Sequence, residues 1–153
     1  MNRNLLHSDP QIATRQRWMG VLARAGTGLT AYESALKEAA YSLIRAPEIG
    51  MTLVRGRMGG TGSPFNLGEM TVTRCVVRLA DGCTGYSYVA GRDKQHAELA
   101  ALADAHLQGP AQQAWLSRMI EPLAAGQQRQ YAAKAAETAT TQVEFFTLVR
   151  GED

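Results

Sequence analysis

Apolar positions recur at helical spacing near the start of the chain and at strand spacing in its middle. Trp18, Val21, Leu22 and Ala25 share one side of a helix, which predicts a helix over Ile12 to Ala25 with Gly26 placed to end it. The polar residues before it, 1–11, are expected to be frayed. Thr30 reads as an N-cap and Glu33 completes a capping box, opening a second helix to about Ala40, and Pro47 closes the connection after it. From Ile49 the period becomes two, with Ile49, Met51 and Leu53 pointing one way and Thr52 and Val54 the other. Beyond a glycine-rich loop, Met70, Val72 and Val76 alternate with Thr71, Thr73, Cys75 and Val77. Asp81-Gly82 is a strong turn signal. The next strand, Gly85 to Ala90, sets Tyr86, Tyr88 and Ala90 against Ser87 and Val89.

Three strands in succession predict an antiparallel meander. Asp93 then caps a helix to about Leu107, and Gly109-Pro110 breaks it. A further helix is expected over Gln112 to Leu123, with Gly126 breaking or bending the chain before an alanine-rich stretch from Gln127 to Thr140. Val143 to Arg150 reads as a last strand, apolar on both faces and expected to join the same sheet. The order ααβββααβ predicts an α+β fold, an antiparallel sheet covered by helices, in a single domain over 1–153.

Composition is ordinary for a globular chain, with 45% apolar and 20% charged residues. A net charge of +2 is too small to imply nucleic-acid binding, but 13 of the 16 basic residues are arginine. That bias favours specific pairing with anions or carboxylates over diffuse attraction. No run approaches the roughly 20 apolar residues that cross a bilayer, and no signal-peptide pattern opens the chain. A cytoplasmic protein with reduced thiols is expected, Cys75 serving as a small core residue and Cys83 as a turn residue.

Candidate chemistry concentrates between Glu48 and Leu79. Arg55, Arg57, Arg74 and Arg78 sit on strands flanking Gly59, Gly60 and Gly62, and within each arginine pair both side chains share a face. The loop fits neither phosphate-binding fingerprint, because it leads into a strand and lacks the Lys-Ser/Thr pair. It is either a demanding connection or a bare backbone approached by a ligand or subunit. The arginines have three readings: a solvated face, pairing with local acids such as Glu69, or contact with a partner or anionic ligand. His96 and His106 lie about 15 Å apart along one helix, too far to ligate one metal. Asp93 is better placed as a cap than as a partner for His96. No serine on a nucleophile elbow and no carboxylate pair is evident, so no catalytic residues are assigned.

Four segments resemble one family: RQRWMGVLARA (Arg15 to Ala25), APEIGMTLVRGRMGGTGSPFNLGEMTVTRCVVRL (Ala46 to Leu79), GYSYVAGRDKQHAELAALADA (Gly85 to Ala105) and VEFFTLVRGE (Val143 to Glu152). These are similar to PhnG, the small G subunit of the bacterial carbon–phosphorus lyase core complex. The resemblance implies that the chain works with PhnH, PhnI and PhnL to transfer ribose 5-triphosphate from ATP to methylphosphonate, releasing adenine. It also implies a two-fold symmetric core of PhnG, PhnH, PhnI and PhnJ, in which the iron–sulfur cluster belongs to PhnJ. On that reading ATP is a substrate of the complex, no cofactor is bound by this chain, and the chain is a structural subunit. The alternative is that its arginines contact the triphosphate or phosphonate.

Overall fold

A computed structural model describes residues 9–143, with side chains to residue 140. Helix α1, Pro10–Ala23, is opened by Asp9, whose side chain accepts a hydrogen bond from the Gln11 N–H at 2.9 Å. Pro10 stands in the first turn, where a missing N–H costs nothing. The helix therefore takes up residues 10 and 11 of the stretch expected to fray, and the expectation for 1–8 lies outside the described residues. Trp18, Val21 and Leu22 are buried, as the periodicity predicts.

The second predicted helix takes a different form. Gly26–Tyr32 winds as a 3-10 segment and only one turn, α2 (Glu33–Leu36), is α-helical. The Thr30 hydroxyl donates to the Thr27 carbonyl at 2.7 Å instead of capping. Leu29 and Leu36 are both fully buried, so core packing overrides the local capping pattern here.

Strands β1 (Tyr41–Arg57), β2 (Pro64–Leu79) and β3 (Thr84–Ala90) pair antiparallel in that order, the expected meander. β1 starts well before Ile49 and runs through Pro47, which was expected to sit in a connection. Register shifts between Leu43 and Arg45 and between Arg45 and Glu48 accommodate it, because a proline cannot donate to the ladder. The turn to β3 is built on Asp81-Gly82: the Asp81 side chain accepts the Cys83 N–H at 2.8 Å, and Gly82 takes φ 93°.

Helix α3, Lys94–Leu107, covers the sheet face formed by Thr73, Cys75, Val77 and Leu79 of β2 with Gly85, Ser87 and Val89 of β3. Asp93 caps it, accepting the His96 N–H at 3.0 Å. The helix is buried on nearly all sides, since α1, the 3-10 segment and the later helices pack on it from the far side. Gly85 lets strand and helix approach closely: a Cβ there would sit 2.6 Å from the Ala105 nitrogen and against the Ala101 carbonyl oxygen.

Helix α4 (Gln112–Trp115), one π turn (Leu116–Ile120) and α5 (Glu121–Val143) follow without interruption. No break occurs at Gly126. The irregularity lies earlier, before Pro122, which has no N–H to offer the Arg118 carbonyl. The α+β class stands; the predicted C-terminal strand lies outside the described residues beyond Val143, which ends α5.

Candidate functional site

Helices cover one face of the sheet and, among the described residues, leave the other open. On that open face Arg74 lies opposite Tyr88, and Val76 opposite Tyr86. Tyr86 and Tyr88 are each about half exposed, at 49% and 52%. Arg74 Nε lies 3.4 Å from a Glu48 carboxylate oxygen, and Arg45 Nη1 lies 3.5 Å from the same oxygen. Glu69, the acid named in one of the three readings of the arginines, sits opposite Leu53. Arg78 Nε donates to the Thr84 hydroxyl at 3.3 Å. Ion pairs this exposed contribute at most about 1 kcal/mol each. They leave a surface of net positive charge, with Met19, Ile44 and Val76 lining a hollow of about 550 Å³ between the arginines and tyrosines.

Beyond this face β1 and β2 continue alone among the described residues. β3 stops at Ala90, opposite Val72, while the β1–β2 pairing runs on to Arg57 and Pro64. Seven residues of β1 past Gly50 make a two-stranded arm about 23 Å long. Its tip is a tight turn, Met58–Gly60, in which Gly59 and Gly60 take φ 60° and 81°. The Gly62 N–H donates to the Met58 carbonyl at 2.7 Å, and a Cβ on Gly62 would lie 2.6 Å from that oxygen. The turn by itself thus accounts for all three glycines.

Arg55 and Arg57 lie near the tip, opposite Asn66 and Pro64, and make no ion pair with the described residues. Arg74 is ten residues further along β2 than Pro64, about 33 Å away. The structure therefore separates the four arginines into two pairs that cannot grip one anionic group together.

The strongest polar cluster was not singled out from the sequence. Asp104, fully buried in the midst of α3, accepts from Arg15 at 2.9 and 3.3 Å, from Trp18 Nε1 at 2.9 Å and from the Tyr86 N–H at 2.9 Å. Gln108 donates to the same carboxylate at 3.3 Å and to the Thr84 carbonyl at 2.8 Å. The carboxylate holds the Arg15 guanidinium above its ordinary pKa by hydrogen bonding and charge, against the opposing effect of burial. The only signal in the sequence is an acid set among alanines and leucines on an apolar helix.

Both helical histidines hold helices to neighbours. His96 Nε2 lies 2.7 Å from the Leu22 carbonyl, and His106 Nε2 lies 3.0 Å from the Leu36 carbonyl with its ring 5.0 Å from that of Trp115. Cys75 is a buried free thiol that donates to the Arg45 carbonyl at 3.3 Å. Burial, joined by the charge of Glu98, pushes it up to about 11. Among the described residues no three His, Cys, Asp or Glu side chains converge as a metal site requires, and no helix is long and apolar enough to cross a membrane.

The chain matches the family model of the phosphonate metabolism protein PhnG over residues 13–151. A relative from Rhizobium meliloti (strain 1021), described as alpha-D-ribose 1-methylphosphonate 5-triphosphate synthase subunit PhnG, is 44% identical over 147 residues. The match covers 95% of this chain and 94% of that protein. It spans the open face, the arm and the Asp104 cluster alike, and with the family match it shows that the chain belongs to the PhnG family of phosphonate metabolism proteins.

Proposed function

We propose that this chain is a non-catalytic structural subunit of a ribose 1-methylphosphonate 5-triphosphate synthase. With PhnH, PhnI and PhnL it supports transfer of ribose 5-triphosphate from ATP to methylphosphonate with release of adenine. Its place is in a two-fold symmetric cytoplasmic core with PhnH, PhnI and PhnJ, and it binds no cofactor of its own. The relative's description as a synthase subunit supports membership of such an assembly.

The observation that carries the structural role is the uncovered surface. Tyr86, Tyr88, Arg74 and the apolar arm are exposed together on one chain. Interfaces between permanent partners resemble a core cut in half and are enriched in arginine and aromatic residues. The test is reconstitution of the synthase with wild-type chain and with Arg74→Ala, following assembly by gel filtration and adenine release from ATP and methylphosphonate. Assembly and turnover are expected to fall together. An intact assembly with lost turnover would overturn the structural role.

The competing reading, direct contact with substrate, draws on Arg55 and Arg57, which have no acidic partner among the described residues. Charge-assisted contacts of this kind are worth about 1.5–3 kcal/mol each. It requires a raised KM for ATP or methylphosphonate with assembly unchanged.

A further inference from the structure

We infer that the β1–β2 arm is a docking limb that enters an apolar cleft lined with carboxylates at its inner end, on a different polypeptide. The inference rests on the reading above that the chain is one subunit of an enzyme assembly, and it names the element and the partner chemistry that reading leaves open.

The first argument is energetic. A lone two-stranded ribbon is marginal in water, and among the described residues this one has neither third strand nor helix beneath it past Val72. It nonetheless exposes Met51, Leu53 and Leu67 by 65%, 57% and 62%, with Phe65 and Met70 near 40%. An apolar patch of this size gives an isolated chain nothing and is the mark of a contact surface.

The second argument is shape. Gly50, Gly56 and Gly68 carry no side chain, and a Cβ at Gly56 would lie 2.7 Å from Leu67 Cδ1. Leu67 and Phe65 therefore lie down over Gly56, and the ribbon stays thin. A thin ribbon with apolar side chains on both strands suits a cleft better than a flat surface.

Charge complementarity then selects the occupant. From Met51 to Met70 the charged residues are Arg55, Arg57 and Glu69. The two arginines lead at the tip without an acid beside them, so the cleft has to supply carboxylates where the tip arrives. The exposed arginine–tyrosine face of a second copy of this chain does not fit. It offers Arg45, Arg74 and Arg78 against Glu48 alone, so docking there would set arginine on arginine.

The test uses the full chain with the other synthase subunits. One variant carries Met51→Ser, Leu53→Ser and Leu67→Ser; a second carries Arg55→Glu and Arg57→Glu. Circular dichroism of each isolated chain confirms that the body remains folded. The proposal expects the apolar variant to lose at least a hundredfold in affinity for the partner subunits. The charge variant is expected to lose at least tenfold, more at low salt than at high salt, and a photo-crosslinker at position 65 to give one product with a single partner subunit. Wild-type affinity in both variants would overturn the docking role while leaving subunit membership intact. Failure of the wild-type chain to bind any subunit would instead overturn the membership on which the proposal rests. Crosslinking to a second copy, arm-dependent flotation with anionic phosphatidylglycerol vesicles, or a raised KM for ATP in a fully assembled charge variant would each overturn the proposed occupant.

Discussion

Replacing Asp104 by Asn keeps the shape of the side chain and removes its capacity to serve as an all-acceptor hub. One carboxylate oxygen becomes an amino group facing donors. If that atom takes the place of Oδ2, it meets Arg15 Nη2 and the Tyr86 N–H, each now 2.9 Å away. Leaving the Tyr86 N–H buried without an acceptor costs about 1–3 kcal/mol, and loss of the charge-assisted bond to Arg15 about 1.5–3 kcal/mol. Arg15 is 38% exposed and water takes over part of its pairing, so a total of about 3–4 kcal/mol is expected. For a chain of this size that lowers the melting temperature by about 6–16 °C. Thermal denaturation of the full chain, followed by circular dichroism and by tryptophan fluorescence, measures it. Adding Arg15→Gln to Asp104→Asn should cost less than the sum of the two single changes, because both act on one pair. A shift under about 2 °C for Asp104→Asn would refute the claim that this carboxylate ties α1, α3 and β3 together.

Two further predictions follow from the packing. Gly85→Ala forces a methyl to within 2.6 Å of the Ala105 nitrogen, so α3 must lift off the sheet. The expected loss is about 3 kcal/mol in urea unfolding, and under about 1 kcal/mol would mean that the two layers yield easily. Cys75, in a Cys83→Ser background, is expected to resist a thiol reagent at pH 8 until the chain unfolds, because burial holds it protonated up to about 11. The native state keeps this proton longer than the unfolded chain, whose thiol ionises near 9, so the contribution to stability is whole below pH 9 and is lost as pH rises through about 11. Rapid labelling of the native chain at pH 8 would contradict the buried placement.

Elements defined by their own residues were legible from the sequence. The Asp93 cap, the Asp81-Gly82 turn and the alternation of Tyr86 and Tyr88 against Ser87 and Val89 all depend on neighbours within a few positions. The Thr30–Glu33 capping box failed for the opposite reason: burying both Leu29 and Leu36 required a tighter winding than the local pattern specified. Pro47 reads as the end of a connection until the register shifts around it show that β1 already runs through it. At the candidate site the sequence marks the arginines, but not that Arg74 pairs with Glu48 or that the tip pair stands about 26–33 Å from it. Asp104 was invisible, since its meaning depends on Arg15, 89 residues away.

The side chains that hold β3 also decide where the sheet stops. Asp104, on α3, occupies the outward-pointing N–H of Tyr86, and Gln108, which caps the end of that helix, the outward-pointing carbonyl of Thr84. Together they imitate the acceptor and donor of a strand that is not there. An incoming strand finds these two sites of the β3 margin already taken, a protection against chain-to-chain stacking. The long outer margin of β1, irregular at three places, meets no such plug of side chains along the arm among the described residues. Among the described residues, growth of the sheet by strand addition is thereby polarised: β3 is capped and β1 is not, and a chain with one closed margin can extend an assembly in a single direction without propagating a fibre.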